Sequence, residues 1–234
     1  MEKVWLYAAL GGFVPALFWL YFWMKEDTYD PEPKKLIAKT FIFGILAAFL
    51  ALITQAFFSK FLSIQLPFYL KTILLALIEE VFKYSVVLLV VVKSIDFNER
   101  IDPLIYMIVA ALGFVAIENM FYIIDYINNL EYLRSLLNGS QRFVGATLIH
   151  VVSSAVVGIF MAFVFFQKKI IRRVAGLIGL LFATAFHAAF NFLIISGNSS
   201  YEKIAFYASW LLIVIVLIFF EFFNRDKKIR TQLY

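Results

Sequence analysis

Residues 68–92 read FYLKTILLALIEEVFKYSVVLLVVV, an apolar run broken at its centre by Glu79, Glu80 and Lys83. A bilayer is crossed by about 20 residues rising 1.5 Å each, so the run is long enough to span. An ionisable group at that depth costs about 2.5–3.5 kcal/mol on insertion scales. Three of them in one span need a function, provided that the run is a span at all.

The rest of the chain says that it is. Of 234 residues, 63% are hydrophobic and 19% aromatic, with 28 phenylalanines, and the mean hydropathy is +0.88. A soluble domain runs nearer about 45–50% apolar, because it must cover itself with polar surface. The expected fold is therefore all-α, a polytopic transmembrane helical bundle. Seven segments qualify as spans: 4–24, 36–58, 68–92, 103–126, 144–167, 174–196 and 202–223. The first is too long for a signal-peptide core and reads as a retained span. No gap admits a soluble domain, so 1–234 reads as one membrane domain. The longest gap, 127–143, sets Leu130, Leu133, Leu136 and Leu137 on one helical face and predicts a short interfacial helix.

Net charge is +5, but the cations cluster between apolar runs, a pattern of topology and headgroup contact rather than of nucleic-acid binding. Fourteen Lys and Arg follow spans one, three, five and seven, among them Lys34, Lys35, Lys93, Arg172 and Arg173. Five lie on the opposite side: Lys3, Lys60, Arg134, Arg142 and Lys203. The excess of positive charge predicts an outer N-terminus and a cytosolic C-terminus. Absence of cysteine rules out disulfides, a thiol nucleophile and cysteine metal ligands.

The deep ionisable groups are Glu79, Glu80, Lys83, Glu118, His150 and His187, and the two histidines are the only ones in the chain. In the deduced orientation Glu79, Glu118, His150 and His187 all fall roughly 9–17 Å below the outer surface, at 1.5 Å per residue. Groups on four helices that share a layer can converge on one site opening outward. Within span three, Lys83 lies three residues from Glu80 and four from Glu79, so it can neutralise one and leave the other for acid–base work. HAAFN presents His187 and Asn191 on one face, and Phe114 lies one turn before Glu118 in GFVAIEN, where it could wall that carboxylate from lipid. The bland readings are a structural Glu–Lys pair and histidines that bond neighbouring helices.

Four stretches in order on four successive spans carry a resemblance: EEVFK (Glu79, Glu80, Lys83), FVAIEN (Phe114, Glu118, Asn119), HVVSSAVVG (from His150) and HAAFN (His187, Asn191). They resemble the motifs of the PrsW family, bacterial plasma-membrane proteases related to the type II CAAX prenyl endopeptidases. DPEP (30–33) and DPLIY (102–106) add to the likeness, whose motif core is about 68–196. The resemblance implies a glutamate-dependent endopeptidase whose partner is a single-span membrane protein, an anti-sigma factor, cut first on its extracytoplasmic side. By motif, Glu79 would be the general base, Glu118 would help hold the water, and His187 and Asn191 would stabilise the oxyanion. His150 belongs to the same set, Glu80 and Lys83 would orient the base, and Phe114 and Asn119 would support. No cofactor is expected, since HExxH is absent; the alternative is Zn²⁺ held by Glu79, Glu118, His150 and His187. Rival functions are a proton-coupled transporter or channel, which should show paired repeats, and a non-catalytic membrane scaffold.

Overall fold

The computed structural model describes residues 2–27, 31–62, 66–128 and 132–231, and these contain helices but no strand. The helices are α1 (Glu2–Glu26), α2 (Lys34–Leu62), α3 (Phe68–Val86), α4 (Asp102–Asn128), α5 (Tyr132–Phe163), α6 (Lys169–Ile195) and α7 (Ser199–Thr231). A π-helical stretch, Val87–Val91, prolongs α3. Among the described residues, six helices are long and apolar enough to cross a membrane. The seventh expected span, α3, falls short because Lys71, Glu79, Glu80 and Lys83 crowd its 19 residues. Its departure from an ordinary span is the set of side chains that makes it interesting.

The gap expected to hold a separate interfacial helix is instead helical from Tyr132 and continuous with the fifth span as α5. No proline interrupts 132–163, so nothing in the chain forces a break there. The four leucine side chains of that segment, like Asp30 of DPEP, lie outside the described residues.

α4 is the central post. Every residue from Ile101 to Ile117 whose side chain is apolar is buried, most of them completely. It packs against α1, α2 and α5. Such close packing in lipid depends on small residues, because no hydrophobic drive pulls helices together there. Gly44 of α2 and Gly113 of α4 supply it: a methyl on Gly44 would run into Ala110 O, and one on Gly113 into Phe41 O. α6 shows the complementary pattern. Gly176, Leu180, Ala183, Thr184 and His187 form its buried stripe, while Leu177, Ile178, Leu181 and Phe182 on the other face are exposed.

The DPEP and DPLIY segments come together at one end of α4. Tyr106 donates its hydroxyl to Glu32 Oε2 at 2.6 Å, and Glu32 N donates to Asp27 Oδ2 at 3.1 Å. Asp102 Oδ2 receives the backbone N–H groups of Asn98 and Glu99 at 2.7 and 2.8 Å. Carboxylate oxygens of Glu32, Glu99 and Asp102 lie within 4.8 Å of one another. Burial first, and the neighbouring Asp102 charge second, push the Glu32 carboxyl up to about 9. The folded chain thus keeps a proton that the unfolded chain releases above about pH 4.3. Stability should fall as pH rises from there toward 9, and Glu32→Gln should flatten that slope. Thermal unfolding of the detergent-solubilised protein between pH 5 and 9 measures it; parallel curves for wild type and variant would refute the assignment.

Candidate active site

Four helices deliver the deep ionisable groups to one place. Glu80 and Lys83 of α3 have no exposed side-chain surface and pair at 2.7 Å. Of the two pairings open to Lys83, this is the one three residues apart, with Glu80 rather than Glu79. Glu80 Oε1 also accepts from Ser153 Oγ at 2.8 Å and faces His187 Nδ1 at 2.8 Å; Glu80 Oε2 accepts from Ser154 Oγ at 3.3 Å. Both oxygens of Glu80 are therefore occupied.

Glu79 is placed differently. Its Oε1 accepts from Gln55 Nε2 of α2 at 2.9 Å, while its Oε2 is buried with no hydrogen-bond partner. That oxygen lies 3.6 Å from His187 Nε2. His187 gives its Nδ1–H to the carboxylate of Glu80, so in the neutral ring Nε2 is an acceptor and in the imidazolium a second donor. With the ring neutral and Glu79 ionised, two acceptors face each other there, a place for a proton donor to bridge them.

His150 of α5 completes the arrangement. Lys83 Nζ lies 2.7 Å from its Nδ1; a lysine ammonium has only N–H to give, so Nδ1 accepts and the ring proton sits on Nε2. His150 Nε2 is 2.8 Å from Glu118 Oε2. The two imidazoles touch edge to face, 4.7 Å between centroids. Phe114 sits beneath the cation: Lys83 Nζ lies 4.7 Å from its ring centre, and the ring packs against His150 at 5.8 Å. Such a contact suits an ammonium that has no water around it. Asn119 donates to Thr147 Oγ1 at 3.1 Å and ties α4 to α5.

The site has a mouth. A cavity of about 210 Å³ is lined by Glu118, His150 and Asn191 together with Asn119, Tyr122, Phe190 and neighbours. The Glu118 side chain is 40% exposed into it, against 0% for Glu80. Asn191 makes no side-chain hydrogen bond among the described residues. The cavity lies toward the C-terminal ends of α4 and α6, the side that the charge distribution places outward.

The sequence reading missed Gln55, Ser153 and Ser154. The serines follow His150 by three and four residues, which puts them on its face, and Gln55 is one of the few polar side chains within α2. The serines carried a usable signal.

Glu79, His150 and His187 each bring a ligand-type atom within 4.8 Å of one another, and Glu118 adjoins His150. Carboxylate oxygen and imidazole nitrogen are donors that suit zinc, and Glu79 Oε2 is buried without a hydrogen-bond partner. Glu80 on His187 Nδ1 is the kind of outer partner that orients a metal-bound imidazole. The donor set fits such an ion, with one condition: the proton on His150 Nε2 has to leave.

Residues 32–220 match the family described as PrsW family intramembrane metalloprotease. A protein named Protease PrsW from Clostridioides difficile (strain 630) is 28% identical over 222 residues, covering 93% of this chain and 88% of that protein. Another Protease PrsW, from Oceanobacillus iheyensis, is 30% identical over 210 residues, 88% of this chain and 91% of its own length. No solved structure matches the chain. The matched stretch takes in all the helices that carry a site residue, and on that ground the chain belongs to the PrsW family, a peptidase working inside a bacterial membrane.

Proposed function

We propose that the chain cuts a single-span membrane protein of the anti-sigma-factor type, near the outer face of the membrane, with a water activated by Glu79. The observation that carries this is the approach of the unpartnered Glu79 Oε2 to His187 Nε2, 3.6 Å apart beside the polar cavity; the resting form in the scheme has Glu79 ionised and His187 neutral. A water held there gives one proton to each acceptor as hydrogen bonds. Glu79 takes a proton as the water oxygen bonds to the scissile carbonyl carbon and the C=O electron pair moves onto oxygen. Asn191, on the cavity wall with its amide uncommitted, donates to that oxyanion. Collapse breaks the C–N bond, and the Glu79 carboxyl returns its proton to the leaving amine. Glu80 holds His187 in the tautomer that keeps Nε2 bare. Lys83 fixes His150, which in turn orients Glu118 toward the water.

Zinc is the second reading, favoured by the convergence of Glu79, Glu118, His150 and His187. The chemistry supplied by a bound ion would be polarisation of the scissile carbonyl and a more acidic water. The Nε2 proton that Lys83 imposes on His150 supports the metal-free reading.

Purified protein reconstituted with single-span membrane proteins that bear an extracytoplasmic domain tests both. Wild type should cleave a substrate of this kind on its outer side, and failure to cleave any of them sinks the substrate proposal. Treatment with a strong chelator, with metal content measured by elemental analysis, should leave the rate within about twofold. Loss of activity together with one equivalent of zinc, restored on adding zinc back, would establish the zinc reading instead.

A further inference from the structure

A second cavity lies at the other end of α6 from the active site, in a region to which the peptidase chemistry assigns nothing. Its volume is about 540 Å³, and it is lined by Lys93, Lys169, Arg172 and Arg173, by Tyr84, and by apolar side chains that include Leu88 and Leu177. Four cations and no carboxylate face it. Among the described residues none of the four is ion-paired, although Arg172 rests against the ring of Phe165 at 5.6 Å. α6 also begins here: Lys168 precedes it without a side-chain cap, so the first-turn N–H groups add positive potential at the mouth. Water alone leaves this arrangement with uncompensated charge over an apolar floor.

We infer that this cavity binds an anionic phospholipid, with its phosphate among Lys93, Lys169, Arg172 and Arg173 and an acyl chain laid along Leu88 and Leu177. Both halves of the lining are needed to choose the ligand. A zwitterionic lipid leaves the four positive charges unbalanced; inorganic phosphate balances them but leaves the apolar floor in contact with water. The charge distribution of the loops places this end of the bundle at the cytosolic face, beside the anionic headgroups of the inner leaflet.

The occupant would do more than fill space. Tyr84, one helical turn after Glu80, is buried and presses its hydroxyl against Gly176 of α6. A lipid spanning Leu88 and Leu177 clamps the same two helices whose Glu80 and His187 meet at 2.8 Å. Binding at the cytosolic end therefore holds the alignment of a site two to three helical turns away, about 12–15 Å at 1.5 Å per residue.

The experiment is native mass spectrometry and thermal unfolding of the full chain in detergent micelles, doped in turn with phosphatidylglycerol, phosphatidylcholine and inorganic phosphate. Phosphatidylglycerol should give retained adducts and a raised unfolding temperature; the other two should give neither. Lys169→Gln/Arg172→Gln/Arg173→Gln should weaken phosphatidylglycerol retention by roughly a hundredfold, taking each headgroup-facing cation as about a factor of five. Lys34→Gln/Lys35→Gln, which removes two exposed cations from the same end but outside the cavity, should leave retention unchanged. Equal retention of phosphatidylcholine, an equal shift with inorganic phosphate, or an equal loss in the Lys34/Lys35 variant would overturn the inference. The readouts are binding and stability, so the outcome is independent of whether the peptidase reaction proceeds as proposed.

Discussion

Glu79→Gln should reduce cleavage by about 10²–10⁴-fold while leaving the unfolding temperature nearly unchanged, and Glu80→Gln should lower both. The contrast follows from what each carboxylate touches. Glu79 gives one oxygen to Gln55 and keeps the other buried and unpartnered. An amide there loses little in the resting protein, and its NH₂ can even face His187 Nε2. What it cannot do is accept a proton, which is worth about that rate factor for a positioned base. Glu80, by contrast, accepts from Lys83, Ser153 and Ser154 and meets His187. Neutralising it strands a buried cation and frees the imidazole to adopt the other tautomer. Cleavage rates for the two variants, measured beside their unfolding curves in the same detergent, decide the matter. If Glu79→Gln cuts at a rate within about twofold of wild type, Glu79 is not the base. If Glu80→Gln alone abolishes cleavage with stability intact, the two roles are exchanged.

How far the sequence carried this picture varies with the kind of question. Composition made lipid the solvent, and the spans were legible because a 20-residue apolar run has few other uses. The layer shared by Glu79, Glu118, His150 and His187 was legible too, since depth is a count along each helix. What the count could not deliver was rotation about each helix axis. Whether Lys83 turned to Glu79 or Glu80 depended on Ser153, Ser154 and His187 waiting on other helices, and helical spacing allowed both. Phe114 illustrates the same gap: its position one turn from Glu118 gave no sign that the ring also faces Lys83 and His150 across the bundle. Gln55 escaped notice because a single amide in α2 carries no pattern, and its meaning comes only from the Glu79 oxygen it reaches. The pairing of DPEP with DPLIY through Glu32 and Tyr106 joins residues 74 positions apart, a contact no local periodicity encodes.

Lys83→Met should be the most damaging single change for folding, costing about 3–5 kcal/mol, and its damage should be largely reversed by adding Glu80→Gln. Lys83 and Glu80 are both fully buried and 2.7 Å apart. Removing the cation leaves a carboxylate in low dielectric with two serines and a histidine to hold it, and an uncompensated buried charge is costly on that scale. Turning Glu80 into glutamine at the same time removes the charge and keeps one carbonyl oxygen to accept from Ser153, while its NH₂ can donate to the Ser154 hydroxyl oxygen. Activity should follow a different course. In the double variant His187 no longer has a carboxylate to fix its Nδ1 proton, and His150 has lost the donor that set its own tautomer, so cleavage should stay depressed although the fold recovers. A double-mutant cycle on unfolding free energy, run beside the cleavage assay, separates the two effects. A Lys83→Met protein as stable as wild type would show that the pair is not what holds α3 in the bundle. A double variant that regained cleavage along with stability would show that Lys83 and Glu80 serve the fold alone.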